Sequence, residues 1–473
     1  MLMENFWDYS VWGSLNLIAI LLLSLLLANT LKRKIKLLRA SLIPTSVLGG
    51  AILLTISGFY KLFTGNVFFD TMFFGGKGMA TLEIITYHCL ALGFIASSFK
   101  TSDDKMTKQR GAEIFNTGIT TVSTYLIQGV FGLGATIIAA FIANEFFAAA
   151  GLILPFGYGQ GTGQALNYGN IYEAQFGFAG GKSFGLTIAA FGFISAALGG
   201  VIHLNILKRK GKINWINSEE NGNEAVTSDE IEAANEIPMQ GSIDKMTVQI
   251  AFVLVAYLVS YFLMCGLGAL LPGMKSVIFG FNFLLGVLSA TVIKAIVKWL
   301  RKTQLMHRQY LNNFLMTRTS NFFFDIMIVA GIAAIRLGIF QQYWAVLLIL
   351  GIGGALITYF YVAFVCKILF PDYENEQFVA MYGMLTGTAS TGIVLLREID
   401  GQFKTPVADN LVYQNFPAIV FGFPIMLLAT LAPVKPVLTW IILLLFFIVM
   451  NIILFRSKIF KFGKRKNKNK ETV

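Results

Sequence analysis

The sequence predicts an all-α polytopic membrane protein: two inverted five-helix repeats, each with a re-entrant hairpin, followed by one extra C-terminal transmembrane helix. Three observations lead there. The 473 residues are 56% hydrophobic and 13% charged, which leaves too little polar surface to cover a soluble globule of this size. The apolar residues gather in runs of about 20, the length a helix needs to cross the hydrocarbon core. Two glycine- and hydroxyl-rich segments, 157–165 (Gly-Tyr-Gly-Gln-Gly-Thr-Gly-Gln-Ala) and 383–391 (Gly-Met-Leu-Thr-Gly-Thr-Ala-Ser-Thr), interrupt those runs at matching places in the two halves.

Spans are predicted at 11–30, 42–60, 82–99, 114–142, 183–206, 247–271, 276–298, 320–340, 343–369, 414–433 and 437–456. Basic residues orient them, because cytoplasmic loops carry the excess of Lys and Arg. With the N-terminus outside, the clusters Lys32/Arg33/Lys34/Lys36/Arg39, Lys100/Lys105/Lys108/Arg110, Lys208/Arg209/Lys210/Lys212 and Lys298/Arg301/Lys302/Arg308 all fall inside. The outer loops keep little beyond Lys61, Lys77, Lys275 and Lys435, and eleven spans return the basic tail after Lys458 to the cytoplasm. The N-terminal stretch carries Glu4 and Asp8 and no basic n-region, so the first span reads as a retained helix rather than a signal peptide. Trp7, Trp12, Tyr343 and Trp344 read as interfacial anchors.

The segment from Asn217 to Met246 is polar and acidic, with Glu219, Glu220, Glu224, Asp229, Glu230, Glu232 and Glu236, and reads as a flexible cytoplasmic linker. It divides the chain into a first five-helix repeat (1–207), the linker (208–246), a second repeat (247–435) and an additional span with its tail (436–473). Five spans per half force the second half to enter the membrane from the opposite face, the arithmetic of an inverted repeat. Gly93 and Gly331 recur at equivalent places in the third and eighth spans, where small residues that ease helix packing are the simpler explanation.

Other classes are disfavoured. Cys89, Cys265 and Cys366 lie inside apolar runs, and His88, His203 and His307 are scattered, so neither a disulfide framework nor a zinc pattern is present. The formal charge of +12 reflects helix ends rather than a nucleic-acid surface. No histidine–carboxylate cluster suggests an enzyme, and no repeated charged ring or filter-like signature suggests a channel. No cofactor is expected.

Matched interruptions of this kind are the best sequence pointer to a transporter binding site, since irregular backbone survives at membrane depth only in protein or beside a watery cavity. Glycine lets backbone groups approach a ligand closely. Thr162, Thr386, Thr388, Ser390 and Thr391 add neutral oxygens suited to an ion that must be released. Half-helix N-termini favour a substrate carboxylate, and C-termini favour a cation. Asp325 and Arg336 are charges expected within the eighth span, eleven positions apart on one helix face. Arg336 reads either as a snorkelling cation or as the counter-charge of a substrate carboxylate; Asp325 reads either as a satisfied structural carboxylate or as a Na⁺-linked one. Asn321 reads as a helix cap or a ligand. His88 reads first as a hydrogen-bonded packing residue, Lys182 as a snorkelling lysine, and Arg397, Glu398 and Asp400 as a solvated cytoplasmic helix end, with Arg397 also a candidate substrate contact.

With two five-helix halves and the string Gly159-Gln-Gly-Thr-Gly-Gln-Ala165, the chain resembles the sodium/glutamate symporter family across the first ten spans. Ile43-Pro44, Gly49-Gly50, Asn321, Arg336, Gly387 and Thr391 contribute to the likeness. The second hairpin is poorer in glycine than is usual there, with Ser390 in place of a proline, and Thr45-Ser46 replaces an acidic residue and proline. The resemblance implies a homodimeric elevator-type carrier in the cytoplasmic (plasma) membrane that imports L-glutamate or a related acidic amino acid with Na⁺ as coupling ion. It implies a substrate site of Gly159, Gln160, Gly161, Thr162, Gly163, Gln164, Gly387, Thr388, Ser390, Thr391 and Arg336. The implied sodium site comprises Thr162, Thr386, Thr388, Asn321 and Asp325. A sodium-coupled di- or tricarboxylate (2-hydroxy acid) carrier is the alternative, and an ion channel the more distant one.

Overall fold

The computed structural model describes residues 5–100, 107–143, 146–212, 243–272, 275–280, 282–400 and 404–458. The acidic stretch of the expected linker, Lys105 and the basic tail beyond Lys458 lie outside the described residues. Among the described residues the chain is all helical, with no strand. Its principal helices are α1 (Tyr9–Lys34), α2 (Thr45–Thr64), α3 (Gly78–Ser98), α4 (Lys108–Ile142), α5 (Leu154–Phe176), α6 (Gly181–Arg209), α7 (Lys245–Leu270), α8 (Asn282–Lys302), α9 (Asn313–Ala333), α10 (Gly338–Leu369), α11 (Glu374–Thr386), α12 (Ala389–Arg397), α13 (Val407–Tyr413), α14 (Asn415–Leu431) and α15 (Pro436–Leu454).

Nine helices among the described residues are long and apolar enough to cross a membrane, and α13 with α14, bent by 48°, passes the same test only as a pair, as a broken span or a re-entrant loop does. The chain is therefore an integral, polytopic membrane protein. The bend has a local cause: Pro417 lies in the first turn of α14 and has no N–H to continue the helical ladder. The expected span 320–340 differs most from the structure. It falls on α9, which is not among the nine, starts at Asn313 and ends at Ala333. Asn312 caps it, its side chain accepting from Leu315 N at 2.8 Å, so Asn321 is mid-helix and caps nothing. The charge of Arg318 and the polarity of Asn321 and Asp325 lower the hydropathy of a helix whose remaining faces are largely buried. After Ala334 the chain turns, with Ile335 N bonding Ile332 O at 3.2 Å, and Arg336 lies beyond the helix. The expected shared helix face of Asp325 and Arg336 therefore does not exist.

Both glycine-rich segments reverse the chain. In α5 the backbone at Gly161 takes φ 76, ψ −166, a conformation essentially confined to glycine. Phe156 and Tyr168, twelve residues apart, stack with ring centroids 3.9 Å apart; on a continuous helix they would be separated by roughly 18 Å. Farther from the tip, Phe147 stacks on Phe178 at 4.8 Å. These pairs define a helical hairpin with Gly161 at its tip. The second hairpin comprises α11 and α12, whose arms touch through glycine: a Cβ on Gly383 would lie 2.8 Å from Gly392 Cα, and one on Gly392 would lie 2.3 Å from Ala380 O. Larger residues at either position would push the arms apart.

The first hairpin is bound to its surroundings by tyrosines. Tyr168 and Tyr172 donate to Met426 O (3.0 Å) and Ala429 O (2.7 Å) of α14, and Tyr158 donates to Gly351 O of α10. All three rings are fully buried, so each hydroxyl needs such a partner. Small residues allow α6 to lie against the returning arm: a Cβ on Gly185 would be 2.2 Å from Ala165 O, and one on Gly169 2.4 Å from Gly181 O.

Candidate functional site

The two hairpin tips meet. A Cβ built on Gly161 would stand 3.4 Å from Thr388 Cγ2, 3.7 Å from Met327 Cε and 3.8 Å from Phe193 Cζ. The tips thus face each other between α9 and α6. Thr162 is fully buried and donates to Met327 O at 3.2 Å. It sits against Gly331, where a Cβ would come within 2.6 Å of Thr162 Cβ. That glycine makes room for the hairpin, whereas Gly93 accommodates Phe324, 2.6 Å from a Cβ there. Thr388 caps α12, its hydroxyl accepting from Thr391 N at 3.5 Å and lying 3.3 Å from Thr391 Oγ1. Thr386 donates back to Tyr382 O at 2.6 Å, leaving its oxygen lone pairs available.

Neighbouring residues shape this junction. Gly159 lies under Tyr125, whose hydroxyl donates to Gly159 O at 3.1 Å and whose ring carbon would be 2.0 Å from a Cβ there. A Cβ on Gly163 would meet Leu90 at 2.7 Å, and one on Gly387 would meet Thr391 Oγ1 at 3.0 Å. Gln160 is half-buried. Gln164 is fully buried; its Oε1 accepts from Asn167 at 3.2 Å, and its Nε2 has no partner among the described residues. Ser390 lies in the first turn of α12, and its side chain lies outside the described residues.

The junction's electrostatics arise from backbone. The returning arm of the first hairpin and α12 both begin at the tips, so two helix N-termini, each worth roughly +0.5 of a charge, converge there; the C-terminal ends of the incoming arms bring carbonyls alongside. Such a junction can hold a carboxylate at amides and a small cation at carbonyls and hydroxyls without a fixed ion.

The other expected residues lie elsewhere. Asp325 and Asn321 are on an exposed stripe of α9 with Arg318, and the Asp325 carboxylate lies beside Ser46 in the first turn of α2. Arg336 is more than two helical turns' worth of chain from Met327. Its guanidinium reaches Glu83 of α3 at 3.5 Å and is 59% exposed. Lys182 binds the same carboxylate at 2.8 Å, while its backbone N–H donates to Glu173 at 3.0 Å, so Lys182 is an ion-pair partner rather than a snorkelling lysine. Arg336 also lines a crevice of about 230 Å³ with Lys61, Asp70 and Met79.

Glu398 and Asp400 are buried, not solvated. The Asp400 carboxylate folds the following turn, accepting from Lys404 N at 2.8 Å and Thr405 N at 2.9 Å. His88 bonds Tyr257 OH at 2.7 Å and His203 bonds Tyr359 OH at 2.8 Å.

Three features escaped the sequence reading. Glu83 was legible as a lone carboxylate inside an apolar run, which alone marks a candidate. Gln128 of α4 donates to Leu385 O at 3.0 Å and Thr358 Oγ1 at 2.8 Å, anchoring the second hairpin just before its tip. At that hairpin's root, Gln377, Asn410 and Gln414 are buried amides; Gln377 donates to Thr117 at 3.3 Å, and nearby burial together with Glu113 pushes the Tyr373 hydroxyl well above its ordinary range. Only the polar residues of α4 hinted at this arrangement. Comparison with known proteins assigns nothing: no protein-family model matches the chain, and no curated protein does.

Proposed function

We propose that the protein is a secondary active transporter that carries a small organic anion, L-glutamate first, in symport with Na⁺, and that the hairpin junction holds both. The observation that carries this reading is the tip-to-tip approach of Gly161 and Thr388. Two interrupted segments, some 220 residues apart in sequence, converge on a largely buried junction that carries the hydroxyls of Thr162, Thr386, Thr388 and Thr391. A structural bundle has no need of such a junction, and backbone left outside regular helices at membrane depth is costly unless it lines a site.

In this reading the halves are inverted repeats, the N-terminus is outside, and the hairpins are re-entrant from opposite faces. The likeness to sodium/glutamate symporters supports a homodimer with elevator motion. Thr162, Thr386 and Thr388, with tip carbonyls, contribute the sodium oxygens. The amides of residues 161–164 and 388–391 contribute the carboxylate contacts. Arg336 and Lys61 act earlier, gathering the anion at the outer crevice rather than binding it at the tips.

Reconstituted uptake of labelled glutamate, with Na⁺, H⁺ and K⁺ gradients imposed separately, tests the reading. Uptake driven by an inward Na⁺ gradient supports it. Flux indifferent to every cation gradient and free of exchange would instead indicate a channel. Inhibition by citrate or malate but not by glutamate would move the substrate to the hydroxy acids.

A further inference from the structure

The end of α8 carries a second feature, far from the hairpin junction. Lys298, Arg301 and Lys302 share one face at spacings of three and four residues, and the chain after Lys302 folds back so that Gln304, Met306 and His307 complete a cavity of about 400 Å³. None of these six lining residues is acidic. Gln304 adopts φ 61, a left-handed conformation that costs a side-chain-bearing residue about 1 kcal/mol or more. The turn is held nonetheless by Thr303 N to Trp299 O (3.0 Å), Gln304 N to Arg301 O (3.2 Å) and Met306 N to Leu300 O (3.2 Å).

Those three bonds bear on the role of the cations. Basic side chains often gather at a helix C-terminus to cap its last carbonyls. Here the backbone of the turn caps Trp299, Leu300 and Arg301 itself, and Thr303 Oγ1 adds bonds to Trp299 O (3.2 Å) and Leu300 O (3.1 Å). Arg301 spends one N–H on Gln309 Oε1 at 3.3 Å, which orients the guanidinium. Trp299, exposed and next in sequence to Lys298, is a residue type that settles at the headgroup level. Basic pockets at this depth suit phosphate-bearing headgroups.

We propose that this pocket binds the phosphate headgroup of an anionic phospholipid. The phosphate would lie among Lys298, Arg301, Lys302 and His307, with the acyl chains running along the apolar face of α8 below Trp299.

Native mass spectrometry of the full-length protein, with phosphatidylglycerol or phosphatidylcholine added in detergent, gives the test. Wild-type protein should retain one phosphatidylglycerol in preference to phosphatidylcholine. Each cation near a membrane surface contributes about fivefold, so K298Q/R301Q/K302Q should weaken that first lipid on the order of 100-fold, and R301Q alone about fivefold or more. The control variant K208Q/R209Q/K210Q removes three exposed cations from the end of α6 and should leave it within about twofold. Equal losses in both triple variants would reduce the effect to general surface charge and overturn the proposal, as would unchanged retention in R301Q. Inorganic pyrophosphate is the second arm: displacement of the lipid at equal concentration would assign the pocket to a soluble phosphate instead.

Discussion

Gly161 carries a sharp backbone constraint. Its φ of 76 and ψ of −166 exclude other residues through the backbone alone, since a Cβ there would make only ordinary contact with Thr388 at 3.4 Å. Gly161→Ala should cost roughly 1–3 kcal/mol and abolish most uptake; a melting temperature within a degree of wild type would show that the tip has another conformation available. Glu83 makes a different prediction. Its carboxylate is 14% exposed and serves both Lys182 and Arg336, so Glu83→Gln leaves two cations without their acid and should lower the melting temperature by several degrees. Arg336→Gln breaks only the exposed pair, worth about 0–1 kcal/mol, and should instead raise the apparent substrate constant. The reverse ranking in thermal melts would contradict the assignment of Glu83 as the hub.

Among elements, the second hairpin depends on α4. Gln128 supplies the Leu385 carbonyl, the last turn before the tip, from a fully buried position. Gln128→Leu should leave that carbonyl unpaired at about 1–3 kcal/mol. Hydrogen exchange should then rise across 385–391 and not across 159–165; equal change in both hairpins would count against this anchor. The long apolar helices were legible because their length and composition suffice. The hairpin tips were legible because glycine and threonine clusters stand out against apolar sequence. The boundary of α9 was not, since polar Arg318, Asn321 and Asp325 look like a helix end while Asn312 supplies the actual cap. Glu83 with Arg336, and Gln128 with Leu385, are pairings across more than 250 residues, which no local pattern encodes.

For the molecule as a whole, the proposed orientation places the clustered basic residues on one cytoplasmic face. A cysteine replacing Lys210 should react with a membrane-impermeant thiol reagent only after the membrane is opened, and one replacing Lys61 should react in intact cells; the opposite pattern would invert the orientation. In the proposed orientation the basic pocket of α8 faces the inner leaflet. The central claim, that the meeting of two hairpins is the ion and substrate site, is tested most directly by the Na⁺ dependence of uptake in Thr388→Val. Thr430→Val, a half-buried threonine bonded to its own helix at Leu427 O, serves as the control. Loss of a coordinating hydroxyl should raise the Na⁺ concentration for half-maximal uptake by about tenfold, equivalent to about 1.4 kcal/mol, with protein abundance and the Thr430→Val response unchanged. Wild-type Na⁺ activation in Thr388→Val and in Thr162→Val alike would contradict the account.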